Sequence, residues 1–273
     1  MKPPVPYFGS KQTVAEWIVS LLPPHQHYVE PYCGGLSVLL AKSASPMETV
    51  NDLDGDLVNF WRVLRDRPDE LARACALTPH SRAELTGAWE PTEDDVERAR
   101  RVWVRLSQGR GGMMRRSGWR HYTTSSGSSF GMPDHLDAYR GRLLPTAERI
   151  ASVSLECLPA LTVIGKYGAA PDVLLYVDPP YLGTTRSHRN RYGTEMRGEN
   201  EHRELAAALT DCNAAVVLSG YDSPLYAELY AGWHRYAQRT TTGNAANDRS
   251  RTEVLWANRR LGSGQACLFE VMP

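Results

Sequence analysis

Two rhythms of apolar and polar residues alternate along this chain. Residues 12–22 (QTVAEWIVSLL) repeat apolar side chains at helical spacing and stop at Pro23-Pro24. Residues 27–30 (HYVE) predict a short strand, and residues 36–42 a helix. Glu48-Thr49-Val50-Asn51-Asp52 predicts a second strand, and residues 55–65 (GDLVNFWRVLR) another helix. This βαβα alternation predicts a parallel sheet with helices on its faces. The rhythm changes after Pro68. Residues 68–109 read as helical throughout, residues 110–133 are rich in Gly, Ser, Arg and aromatics, and residues 135–151 read as helical again. Strand-like runs return at Val153-Ser154-Leu155, 173–178 and 214–218, with further strands expected at 233–238, 252–257 and 266–271. The expected fold class is α/β. One domain made from residues 1–67 and 150–273 is interrupted by a mostly helical insertion at 68–149.

Composition narrows the picture only a little. With 273 residues, 42% hydrophobic and 23% charged, the chain is long enough for one large domain with an insertion. Its net charge is zero, so any surface for a polyanion must be a local patch. Cys33, Cys75, Cys157, Cys212 and Cys267 are odd in number and never form CxxC, which predicts free thiols in a reducing cytoplasm and no zinc site. The start MKPPVPYFGSK carries no apolar signal core, and no run reaches membrane-spanning length.

Asp178-Pro179-Pro180-Tyr181 is the most informative stretch, because it follows the apolar run 173–177. Proline has a fixed φ and no N–H, so two in a row hold neighbouring carbonyls in one direction. A carboxylate, an outward carbonyl and a flat ring at a strand exit suit a planar heterocycle that bears an amino group. The simpler alternative is a proline-rich strand exit capped by a surface tyrosine. Earlier in the chain, the first strand runs into Glu30-Pro31-Tyr32-Cys33-Gly34-Gly35 and then a helix. Paired glycines there permit close backbone approach to a ligand, and a helix start favours an anionic group; a plain tight turn is the alternative. Asp52 ends the second strand, where an acid in a doubly wound sheet commonly accepts ribose hydroxyls. An N-cap, from Asp52 or Asp54, is the competing reading. Tyr7-Phe8-Gly9-Ser10-Lys11 reads as a ligand lip, with rings for an adenine and Lys11 for a carboxylate, or as a hydrophobic staple with a solvated lysine. There is no GxxxxGK[ST] phosphate loop, which argues against a nucleotide triphosphatase.

These pieces, in this order, resemble the Dam-like family of DNA adenine-N6 methyltransferases, in particular its shorter phage and prophage type. The resemblance is strongest over residues 5–62 and 174–184. It implies a Rossmann-like S-adenosylmethionine-dependent methyltransferase sheet with S-adenosyl-L-methionine as cofactor and no metal. It implies cofactor contacts from Tyr7, Lys11, Glu30, Gly34, Gly35, Asp52 and Asp178, and catalysis by Asp178, Pro179 and Tyr181 on an adenine flipped out of double-stranded DNA. The expected setting is the cytoplasm of a bacterial or phage-infected cell, as a monomer or weak dimer; whether a restriction nuclease is linked to the protein is left open by the sequence. Members that read GATC usually carry an Asn- and Pro-containing stretch late in the insertion. Here Ser128-Ser129-Phe130-Gly131-Met132-Pro133 stands in that region, which leaves the target sequence open.

Between Arg98 and Pro133 there are eight arginines and no acid, interleaved with Trp103, Trp119, His121 and Tyr122. Arg98, Arg101 and Arg105 are expected in helical i,i+4 pairs or solvated. Arg110, Arg115, Arg116 and Arg120 are expected to contact DNA, with Gly109, Gly111 and Gly112 letting the loop follow a groove. Arg186, His188, Arg189, Arg191 and Arg197 read as a second basic loop over the extruded base, or as an ordinary solvated loop. Two further readings stay open: amino-group methylation of RNA or protein, and a non-catalytic DNA-binding protein with this fold.

Overall fold

The computed structural model describes residues 1–121, 131–180, 196, 198–220, 222–241 and 250–262. Seven strands form one sheet: β1 (His27–Glu30), β2 (Met47–Asn51), β3 (Ser154–Glu156), β4 (Val173–Val177), β5 (Ala215–Gly220), β6 (His234–Thr241) and β7 (Ser250–Ala257). Their order is β3-β2-β1-β4-β5-β7-β6. β7 runs antiparallel to both of its neighbours, β5 and β6, and the other strand pairs among the described residues are parallel. The chain first steps outward from β1 to β2 and β3, then returns to lay β4 on the other side of β1. The carboxyl ends of β1 and β4 therefore face the point where the order reverses, which is where doubly wound sheets bind ligands. The strand expected at 266–271 lies outside the described residues.

Alternation along the central strands builds two cores. Tyr28, Leu174, Tyr176 and Val217 pack on one face, and Val29, Leu175, Val177 and Val216 on the other. The first face carries α1 (Ala15–Leu21), α2 (Ser37–Ala41) and α3 (Gly55–Asp66). The second carries α9 (Ala160–Tyr167), α10 (Glu199–Thr210) and α11 (Pro224–Leu229). α1 begins three residues later than its apolar rhythm suggests, because residues 11–14 close a turn through Val14 N–H to the Lys11 carbonyl.

The expected insertion contains α4 (Pro68–Leu77), α5 (Arg82–Gly87), α6 (Asp95–Gln108), α7 (Met132–Arg140) and α8 (Leu143–Ile150). Its helices extend the first core: Leu71, Trp103 and Leu143 are fully buried with Phe60 and Trp61 of α3. The arginines of α6 are spoken for, though not all by i,i+4 pairs. Arg101 does pair with Glu97 one turn earlier. Arg98 and Arg105 instead reach across to opposite oxygens of Asp56 on α3, at 2.6 and 2.7 Å.

Candidate active site

The turn after β1 is shaped by what lies against it. Gly34 has φ +45°, which favours glycine, and a Cβ on it would lie 2.7 Å from Tyr7 Cε1. A Cβ on Gly35 would lie 2.7 Å from Tyr7 Cβ. The close approach that these glycines allow is thus, first, that of the Tyr7 side chain. Trp61 Nε1 donates to the Gly34 carbonyl at 3.1 Å, tying the same turn to α3. Gly34 N–H donates to Asp52 Oδ2 at 3.0 Å, and Asp54 N–H to Asp52 Oδ1 at 3.0 Å. Asp54, not Asp52, is the N-cap of α3, accepting from the amides of Asp56 and Leu57. Burial pushes the Asp52 carboxyl up to about 6, against the lowering pull of the Asp54 and Gly34 amides.

Beneath the turn, Glu30 is fully buried and accepts from Tyr28 Oη at 2.7 Å and Leu39 N–H at 2.9 Å. Burial raises its carboxyl to about 8, so it is largely protonated at neutral pH. Asn51 knits the strand ends together. Its Nδ2 donates to the carbonyls of Pro31 and Leu158, and its Oδ1 accepts from Leu158 N–H.

These groups border one cavity of about 330 Å³ at the carboxyl ends of β1, β2 and β4, a volume typical of small-molecule sites. Tyr7, Lys11, Glu30, Gly34, Gly35, Asp52 and Asp178 all line it, so the structure brings together every expected cofactor contact. Pro180 lines it too, while Pro179 is buried. Tyr181 and the basic residues Arg186, His188, Arg189, Arg191 and Arg197 lie outside the described residues, as do Ser128, Ser129 and Phe130. The Lys11 ammonium, read from sequence as solvated or turned to a ligand carboxylate, is buried on two carboxylates of the protein itself, Asp178 and Glu253.

Several lining residues escaped the sequence reading. Leu53 is 49% exposed and Leu161 40% exposed, and with Pro159 and Ala160 they give the cavity an apolar edge. A leucine set between two acids, Asp52-Leu53-Asp54, was the visible signal. Met114 carried none, because the contact that brings it to the cavity is long-range. Phe8 N–H donates to the Gly112 carbonyl at 2.8 Å, joining the loop after α6 to the lip at 7–11.

That loop folds back on itself. Arg110 N–H donates to the Gly118 carbonyl, and Arg120 N–H to that of Gln108. Glycines assigned to flexibility in the sequence are packed here: a Cβ on Gly109 would run into the Arg105 carbonyl, and one on Gly112 would meet the Pro6 carbonyl at 2.8 Å. Arg110 and Arg116 are exposed, Arg115 and Arg120 half-buried. Arg116 lies over the Trp89 ring, and Trp119 is stacked between His80 and His121. Among the described residues no group of His, Cys, Asp and Glu is arranged to hold a metal ion, and no helix is long and apolar enough to cross a membrane.

The chain is also similar to known proteins. The family model of D12 class N6 adenine-specific DNA methyltransferases matches residues 7–242. A Type II methyltransferase, M1.LlaDCHI of Lactococcus lactis subsp. cremoris, is 25% identical over 94% of this chain and 95% of its own. Among solved structures, an SAM-dependent methyltransferase from Agrobacterium tumefaciens aligns with TM-score 0.41 at 10% identity, over 91% of this chain and 61% of that one. An rRNA methylase from Streptococcus thermophilus aligns with TM-score 0.37 at 8% identity, over 89% and 94%.

Proposed function

Because the chain belongs to the D12 class of N6 adenine-specific DNA methyltransferases, we propose that its cavity unites S-adenosyl-L-methionine with an adenine turned out of duplex DNA, and that Asp178 aligns the adenine amino group. The observation that carries this reading is that Asp178, at the end of β4, and Asp52, at the end of β2, border one cavity at the point where strand order reverses.

The residues present fit the cofactor. Asp52 is a carboxylate for ribose hydroxyls, and the apolar edge of Leu53, Pro159 and Leu161 suits a flat ring. The turn at Gly34 and Gly35, roofed by Tyr7, borders the methionine end. When bound, S-adenosylmethionine supplies a methyl group on a sulfonium centre.

The adenine amino nitrogen is a poor nucleophile because its lone pair is delocalised into the ring. Asp178 and the Pro179 carbonyl accept its N–H groups and favour a pyramidal nitrogen. Positive charge grows on that nitrogen during transfer, and the Asp178 carboxylate stabilises it more in the transition state than in the ground state. Tyr181 stacks on the extruded base and offsets part of the unstacking cost. Residues 68–149 act as the target-recognition insertion. Arg110, Arg115, Arg116 and Arg120 meet DNA, and the lip contact at Gly112 links that loop to the cofactor side. The Type II relative motivates a fixed target sequence and a companion nuclease.

The test is sequencing with base-modification detection on duplex DNA exposed to the protein and S-adenosylmethionine. N6-methyladenine at one recurring sequence supports the reading. Methyl transfer to RNA or protein in preference to duplex DNA overturns it.

A further inference from the structure

Lys11 has two carboxylate neighbours, and the reaction described above uses only one. Its Nζ lies 3.2 Å from Asp178 Oδ1 and 3.1 Å from Glu253 Oε1. The three groups come from distant parts of the chain: the turn before α1, the exit of β4, and β7. Lys11 and Glu253 are buried, and Asp178 is partly so. Ser219 on β5 donates its hydroxyl to Glu253 Oε1 at 2.5 Å, and both residues are buried. Because β5 stands between β4 and β7, the line from Ser219 through Glu253 and Lys11 ends on the proposed catalytic acid.

A buried ammonium beside a single carboxylate largely cancels its charge and weakens it as an acceptor. The proposed reaction needs the opposite from Asp178, since positive charge grows next to it. A second carboxylate on the same ammonium divides its field. Burying an extra acid is costly, and a neutral glutamine would tie β7 to Lys11 with less desolvation. The acid at position 253 therefore calls for an electrostatic explanation.

Building on the reading of Asp178 above, we propose that Glu253 is a positioning residue for methyl transfer: it shares the Lys11 ammonium with Asp178, so that Asp178 stays both oriented and negatively charged toward the adenine amino group. The titratable groups near Asp178 include Lys11, Glu253, Glu30 and Tyr176, and Glu201 and Glu204 border the same cavity. Of these, Glu253 is the acid that acts through Lys11.

Glu253→Gln keeps the shape and an oxygen for Lys11 but removes the charge. The single-turnover methylation rate should fall about tenfold or more, with KM for DNA and calorimetric affinity for S-adenosylmethionine within about twofold of wild type. Lys11 then pairs more fully with Asp178, so the acid limb of the pH–rate profile should move to lower pH. Glu253→Asp restores the charge and should recover both rate and limb. Ser219→Ala keeps the acid but removes a donor from it, which leaves Glu253 freer to hold Lys11; the acid limb should then move slightly to higher pH, and this variant serves if Glu253→Gln fails to fold.

A wild-type rate in Glu253→Gln, a loss confined to KM or melting temperature, or an unmoved acid limb in both Glu253→Gln and Ser219→Ala overturns the proposal. Asp178→Ala, run in parallel, separates the two ideas. If it is inert while Glu253→Gln is fully active, only the role of Glu253 falls. If Asp178→Ala is also active, the reading of the site falls with it.

Discussion

The amide of Gly34 donates to the Asp52 carboxylate at 3.0 Å, which makes the turn after β1 and the acid after β2 one unit. Two residues on, Asp54 does a separate job as the N-cap of α3. The two acids should therefore respond differently. Asp52→Ala is expected to weaken S-adenosylmethionine binding, because it removes the ribose acceptor and loosens the glycine turn. Asp54→Ala should cost about 1 kcal/mol of stability through the lost cap and leave cofactor affinity nearly intact. Calorimetry and thermal melts on the pair check this. Equal affinity losses in both variants would count against the assignment of Asp52.

The glycine turn offers a sharper steric test. An alanine at position 34 meets the far atoms of the Tyr7 ring, while one at position 35 meets Tyr7 Cβ. Each substitution should destabilise by roughly 1–3 kcal/mol, the usual scale of overpacking. In a Tyr7→Ala background the Gly34→Ala cost should shrink to the part owed to its positive φ. The Gly35→Ala cost should persist, because alanine keeps the Cβ. A thermodynamic cycle that finds the same coupling at both positions would contradict the contact geometry.

Glu30 predicts a pH dependence of stability. Its folded-state carboxyl sits at about 8, above its ordinary value of 4.5. The folded protein therefore holds a proton that the unfolded chain releases across this interval. The contribution is fully present below the unfolded value and is lost as pH rises through the folded one. Glu30→Gln mimics the protonated form and should lack this loss. Melting temperatures of wild type should fall relative to Glu30→Gln as pH rises from 5 to 8. Parallel profiles would mean that Glu30 is not held protonated.

The arginines divide into two groups with different expected phenotypes. Arg98 and Arg105 share Asp56, so Asp56→Ala should loosen α6 from α3 and lower the melting temperature. Arg115, Arg116 and Arg120 are expected to serve DNA. Replacing one that meets a phosphate should weaken all sequences alike and reduce the salt slope by about one. Replacing one that meets a base should relax preference at a single position. A triple alanine variant that methylates the same site equally well at every salt concentration would remove the loop after α6 as the reader.

Local patterns carried much of this molecule. The apolar run 173–177 ahead of Asp178, and the strand-end acid seventeen residues beyond Gly35, were visible as spacing in the sequence, and both border the cavity. Contacts between distant segments were not visible. Arg98 and Asp56 are 42 residues apart, so an i,i+4 rule cannot pair them. Glu253 sits inside an ordinary strand pattern, and only the sheet order brings it to Lys11. Gly112 looked like a hinge because nothing local reveals the Pro6 carbonyl that crowds it, whereas Gly109 is crowded by the Arg105 carbonyl one helical turn back. The basic stretch after Asp178 lies outside the described residues, apart from Met196 and Gly198.

The central claim is that Asp178 performs its chemistry on adenine. The most direct measurement is single-turnover methyl transfer by Asp178→Ala to duplex DNA carrying the target, with DNA affinity measured on the same preparation. The account predicts no detectable N6-methyladenine and DNA binding close to wild type. Turnover near the wild-type rate would contradict it.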